Sequence, residues 1–122
     1  MFVNKRIATA VLFFARLSLL SLILLIFIGG SAPAAAGLFP PPIDKIVHAL
    51  VYGLMLLLAI LSLPNIRWPI LFGGVVTVGI LDEIHQIWLP GRFAGLDDLF
   101  ADILGCILMT LILNCVARSR TS

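Results

Sequence analysis

The sequence predicts an all-α integral membrane protein, a bundle of four transmembrane helices. Three observations predict it. The 122 residues are 61% hydrophobic and only 11% charged, with a mean hydropathy of +1.19. A soluble domain is about 45–50% apolar and about 25% charged. Four apolar stretches recur, each near the roughly 20 residues that a helix needs to cross a bilayer. Turn-forming residues separate them. So few charges cannot cover a soluble surface, and disordered chains lack this apolar content. No basic patch dense enough for nucleic acid is present, so no nucleic-acid partner is expected.

The predicted spans are 7–28, 46–63, 69–89 and 96–117, taken together as one membrane domain over 1–122. Gly29-Gly30-Ser31 and Pro40-Pro41-Pro42 punctuate the first connection. Pro64-Asn65 ends the second span and Pro90-Gly91 ends the third, since proline cannot continue a helix. Lys5-Arg6, the apolar run and Ala34-Ala35-Ala36 also fit a cleaved secretory signal. A retained helix is preferred, because the run from Ile7 is longer than a typical signal core. Arg16 is expected to snorkel to the inner interface, the alternative being a carboxylate partner inside the bundle. Cys106 and Cys115 fall in one stretch, about 13 Å apart at about 1.5 Å per residue. They cannot bridge each other, and both read as buried thiols.

Basic residues set the expected topology. Lys5, Arg6, Arg16, Arg67, Arg118 and Arg120 flank one set of helix ends. Placing them inside puts both termini in the cytoplasm. All six acids then fall at the outer ends, with His48 and His85, against only Lys45 and Arg92. The positive-inside bias does not require acids to cluster.

The second span opens Asp44-Lys45-Ile46-Val47-His48, then Tyr52. Residues four apart share a helix face, so Asp44, His48 and Tyr52 form one polar stripe. Asp44 also reads as an N-cap. The third span carries Asp82, Glu83 and Gln86 near its end. Adjacent carboxylates in an apolar helix end need compensation and suit acid–base work. The alternative is a solvated helix end. Pro90-Gly91 then presents Arg92, a side chain suited to bidentate phosphate or carboxylate binding; a salt bridge to Asp98 or Glu83 is the other reading. Asp98 and Asp102 share a face of the fourth span. Asp97 reads as its cap, and Gly105 as a point of close helix approach.

These motifs resemble the VanZ-like family: Asp44-Lys45-x-x-His48-x-x-x-Tyr52, Asp82-Glu83-x-x-Gln86, Pro90-Gly91-Arg92 and Asp98-x-x-x-Asp102-x-x-Gly105. The resemblance spans 44–105. That family comprises small bacterial membrane proteins, whose namesake is linked to teicoplanin resistance. It implies a cell-envelope role and marks these residues as the site. The chain departs from it at Asp102, where the family commonly has asparagine, and at Gly95, where it has a small hydroxyl residue.

Three functional readings follow. In the first, an envelope enzyme acts on a lipid head group or a lipid-linked cell-wall precursor. Glu83, with Asp82 beside it, is the acid or base. His48 is a second proton carrier oriented by Asp44. Arg92 holds a phosphate; Gln86, Asp98, Tyr52 and Asp102 complete the substrate-binding set. A divalent metal on Asp82, Glu83, His48 and Asp98 is compatible with these residue types, although no tight ligand spacing marks one. In the second reading, the pocket binds a lipid, precursor or glycopeptide without turnover. In the third, the chain is a proton-coupled transporter subunit. The apolar inner halves of the later spans leave that path discontinuous, and four short spans would call for a homo-oligomer. A polar set that only ties helix ends together is the remaining alternative; it leaves the excess of acids unexplained.

Overall fold

Proline and glycine set the helix boundaries in the computed structural model, which describes residues 5–120. Helix α1 is Lys5–Leu24, α2 is Ile43–Ser62, α3 is Trp68–Gln86 and α4 is Leu96–Ser119. A π-helical turn, Leu25–Gly29, extends α1, and a short 3-10 turn, Pro33–Ala35, lies in the first connection. Among the described residues there is no strand. The four helices are long and apolar enough to cross a membrane. The protein is an all-α, multi-pass membrane protein.

With the π-helical turn counted in α1, the boundaries differ from the sequence expectation by up to three residues. Helix α2 starts at Ile43 rather than 46, because Pro42 at its flank forfeits no helical hydrogen bond. Asp44 therefore lies in the first turn, not at the cap, and Gly95 likewise displaces Asp97 from the α4 cap. Helix α3 ends at Gln86 rather than 89. Residues Ile87, Trp88 and Leu89 form tight turns onto Ile84, His85 and Gln86, since Pro90 disfavours a helical Leu89. At the other end of α2, Leu63 precedes Pro64 and leaves the helical region, with φ −129° and ψ 59°.

Side-chain pairings show that neighbouring helices alternate in direction. Tyr52 of α2 meets Asp82 of α3, and Arg16 of α1 donates to the Ser62 carbonyl at 3.1 Å. That carbonyl, rather than a carboxylate, is the Arg16 partner, at the negative end of the α2 dipole. Helices α2 and α4 run parallel, with α2 central. The core is Tyr52, Met55, Leu56 and Ala59 of α2, Leu71 and Val75 of α3, and Cys106 of α4. Helix α1 buries only Ala15. Large apolar side chains such as Phe13, Phe14, Ile70, Phe93 and Phe100 stay exposed, a surface suited to lipid rather than water. Cys106 is buried as expected; Cys115 is exposed, because it lies on the outward face of α4.

Small residues let α2 and α4 touch. A Cβ added to Gly105 would lie 2.0 Å from the Ala49 carbonyl oxygen, and one added to Gly53 would lie 2.9 Å from the Gly105 oxygen. Close approach through small residues is a chief source of helix association in lipid. Gly73 has nothing within 4 Å of such a Cβ. Gly105→Ala should therefore destabilise the fold by about 1–3 kcal/mol or more, whereas Gly73→Ala should be neutral or stabilising by up to about 1 kcal/mol. Denaturant unfolding of both variants in detergent micelles checks the contrast.

Candidate functional site

The close approach of α2 and α4 stacks their polar first turns against each other. Lys45 sits at the mouth. Its ammonium contacts Asp44 and Asp97, each at 2.9 Å, and also Asp98. One turn deeper, His48 Nδ1 lies 2.8 Å from Asp102 Oδ1. With Asp102 a carboxylate, that bond needs the proton on Nδ1, which leaves the Nε2 lone pair free. His48 Nε2 is 3.9 Å from Asp98 Oδ1. Asp102 is 0% exposed. Its Oδ2 has no hydrogen-bond partner and faces Gly79 of α3, where an added Cβ would lie 2.8 Å away.

Helix α3 completes the cluster. Asp82 Oδ2 accepts from the Tyr52 hydroxyl at 3.3 Å and from Gln86 Nε2 at 3.2 Å. Glu83 Oε2 accepts from the Gly95 amide at 2.7 Å, tying α3 to the start of α4. Glu83 Oε1 is buried without a partner. The His48 ring stacks parallel to Tyr52, with centroids 6.2 Å apart. These residues thus form two layers: an ion-paired mouth around Lys45, and a deeper layer in which half-buried His48 meets the buried Tyr52, Asp82, Glu83, Gln86 and Asp102.

Beside this cluster lies a cavity of about 350 Å³. Leu22, Leu25, Ile26, Val47 and Val51 make an apolar wall between α1 and α2, and Leu38 and Phe39 of the connection add to it. His48, Tyr52, Asp82, Gln86 and Arg92 make its polar end. Glu83, Asp44, Asp98 and Asp102 do not line it.

Three sequence expectations are corrected by these contacts. His48 is held by Asp102, not Asp44; Asp44 is drawn to the neighbouring Lys45 instead. Arg92 makes neither of the expected salt bridges. It donates to the carbonyls of Ala35 at 3.3 Å and Gly30 at 3.2 Å, because the first connection folds over it and offers carbonyls that have no helical partner. Asp82 is turned towards Tyr52 and Gln86, so the metal-compatible group is His48, Glu83 and Asp98 without it. In the sequence, Lys45 has a place in the Asp44-Lys45 motif but no role of its own, yet it holds the mouth together. Its signal was its position, as one of two bases among six acids. Gly79 was missed too, and a lone glycine in an apolar stretch carries no signal of what it packs against.

A match to a protein-family model covers residues 3–117, and that family is VanZ/LLP1. The chain belongs to the VanZ/LLP1 family. No curated protein and no solved structure matches it. The family match includes every residue of both polar layers and of the cavity.

The His48–Asp102 pair joins two helices, and Asp102 is fully enclosed, so removing the half-buried His48 strands it. His48→Ala should cost about 3–5 kcal/mol, the scale for an orphaned buried charge. Adding Asp102→Ala should restore part of that loss. A double-mutant cycle by denaturant unfolding measures the coupling, and additive costs would show that the pair is energetically independent.

Proposed function

We propose that this VanZ/LLP1 protein works in the bacterial cell envelope on an amphiphile, a membrane lipid or a lipid-linked cell-wall precursor, whose head group enters the polar end of the cavity. The observation that carries this is the shape of that cavity. One side is a hydrocarbon wall from α1, α2 and their connection, and the other ends on His48, Tyr52, Asp82, Gln86 and Arg92. Ligand sites pair a largely apolar lining with a few placed polar groups. Here the two kinds of surface are segregated, as in a molecule with a tail and a head. In this reading the bundle sits in the cytoplasmic membrane with its basic end inside, so the acidic end and the cavity face outward.

Each polar group then has a role. Arg92 meets an anionic head group, exchanging a carbonyl partner for it. His48 and Asp82 touch the head group, and Gln86 and Tyr52 orient it. Glu83 lies beyond His48 and exchanges protons through it, with Asp102 fixing the imidazole. Asp98 and Asp44 act at the mouth through Lys45.

A second reading is binding without turnover of a lipid, a precursor or a glycopeptide. The absence of Glu83 from the cavity lining favours it. Mass spectrometry separates the two. Lipid extracts containing phospholipids and wall precursors are incubated with the purified protein, with Glu83→Gln and with Arg92→Ala. A product formed by the unaltered protein and lost in Glu83→Gln supports turnover. A lipid that co-purifies with the protein and with Glu83→Gln, but not with Arg92→Ala, supports binding alone. Neither product nor retained lipid removes both readings.

A further inference from the structure

Among the described residues, this end of the bundle gathers more carboxyl groups than basic partners. Lys45 and His48 are the groups that meet the carboxylates of α2 and α4, while the Arg92 guanidinium turns to the first connection. Behind the cavity, three side chains from three helices converge. One nitrogen of His48 and one carboxylate oxygen each of Glu83 and Asp98 lie within 4.8 Å of one another.

We propose that His48, Glu83 and Asp98 hold a divalent transition-metal cation, with Asp102 fixing His48 from behind. Two features of the geometry point to a ligand, beyond the gathering of acids. First, Glu83 is only 9% exposed, and its Oε1 has no partner while Oε2 is satisfied by the Gly95 amide. A buried carboxylate oxygen left without a donor is costly, and a cation would satisfy it. Second, the His48–Asp102 bond is the carboxylate–histidine arrangement that orients metal-bound imidazoles. Asp102 holds Nδ1 at 2.8 Å and so directs Nε2 to the side where Asp98 lies, 3.9 Å away.

Metal–ligand bonds of about 2.0–2.2 Å place ligand atoms about 3–3.5 Å apart. From within 4.8 Å, the ligand atoms must therefore close by up to roughly 1.3–1.8 Å, shared among three side chains that can each change rotamer. Lys45 keeps Asp44 and Asp97 at 2.9 Å when Asp98 turns to the cation. One imidazole with two carboxylates suits Mn²⁺ or Zn²⁺ better than Ca²⁺, which takes oxygen ligands alone. The inference deepens the proposed function and rests on the same end of the bundle. With both imidazole nitrogens then engaged, the cation replaces proton exchange through His48, and its charge would counter that of a phosphorylated head group.

The test uses the full chain in detergent micelles, freed of metal by a chelator and dialysed against Mn²⁺ alone or Zn²⁺ alone. We expect about one tightly bound ion per chain by elemental analysis. Bound Mn²⁺ should show nitrogen coupling in its spin-echo spectrum. His48→Gln should lose the nitrogen signal, and Glu83→Gln should lose the ion. Asp102→Asn retains all three ligands and should weaken binding about 10–100-fold, which keeps the test decisive if His48→Gln fails to fold. Cys115→Ser, on the exposed face of α4, should bind as the unaltered chain does. The proposal is overturned if neither ion is retained, or if retained Mn²⁺ lacks nitrogen coupling, or if Asp102→Asn binds as tightly as the unaltered chain. Because metal retention is read without any added lipid, the result is separate from the function above: a chain that binds Mn²⁺ but changes no lipid keeps this site and loses the catalytic reading.

Discussion

At Gly105 the backbone of α4 rests on the Ala49 carbonyl of α2, and the rest of the polar architecture depends on that contact. A Cβ there would sit 2.0 Å from the oxygen. His48 is one residue from Ala49, and Asp102 is one turn from Gly105. Bringing the backbones together at this level therefore brings the imidazole onto the carboxylate. One turn nearer the acidic end, the same parallel alignment sets Lys45 between Asp44, Asp97 and Asp98. In lipid, tail contacts give no preference for one helix face over another, so small residues and polar pairs decide how helices meet. Here both kinds of contact act at one crossing.

Burial then sorts the acids into different environments. Asp97 is exposed and shares an ammonium at the mouth. Asp102 is fully enclosed, and only one of its oxygens is bonded. Gly79 lets α3 close over the other oxygen. A charged group at such a depth is tolerated only with a compensating partner. His48 supplies one for Asp102, and Tyr52 with Gln86 supplies donors for Asp82. Glu83 receives a backbone amide on one oxygen alone. The layer is thus held together across three helices while keeping unspent acceptor capacity.

Helix α1 has a different part. It buries little of itself and places none of the ionised groups of the cluster. It contributes hydrocarbon: Leu22, Leu25 and Ile26 wall the cavity that ends on His48 and Arg92. The first connection is fixed to the far side of the bundle by the Arg92 contacts to Gly30 and Ala35. His85 adds a further tie, with Nε2 3.4 Å from the Ser31 hydroxyl and its ring beside Phe27. The cavity exists because this connection is pinned over α2 and α3 instead of lying in the interface.

The four helices and the gathering of acids at one end follow from hydropathy and charge placement in the sequence. Hydropathy and span length allow no other arrangement of backbone hydrogen bonds in lipid, and alternating helix direction carries 44–48, 82–86 and 97–102 to the same end. The sequence also marked Gly105 as a packing point, since a glycine one turn beyond a buried acid leaves room for a neighbour. Which groups pair depends instead on how the helices pack. Asp44 and His48 share a helix face, yet Asp44 turns to Lys45 and His48 to Asp102. Arg92 follows two acids in sequence but binds carbonyls some sixty residues earlier. The physical reason is that helical spacing fixes which residues share a face, while the rotation and depth of each helix against its neighbours come from backbone contacts between glycines and alanines. Those contacts have no periodic signature, so the partners across helices were invisible until the helices were packed.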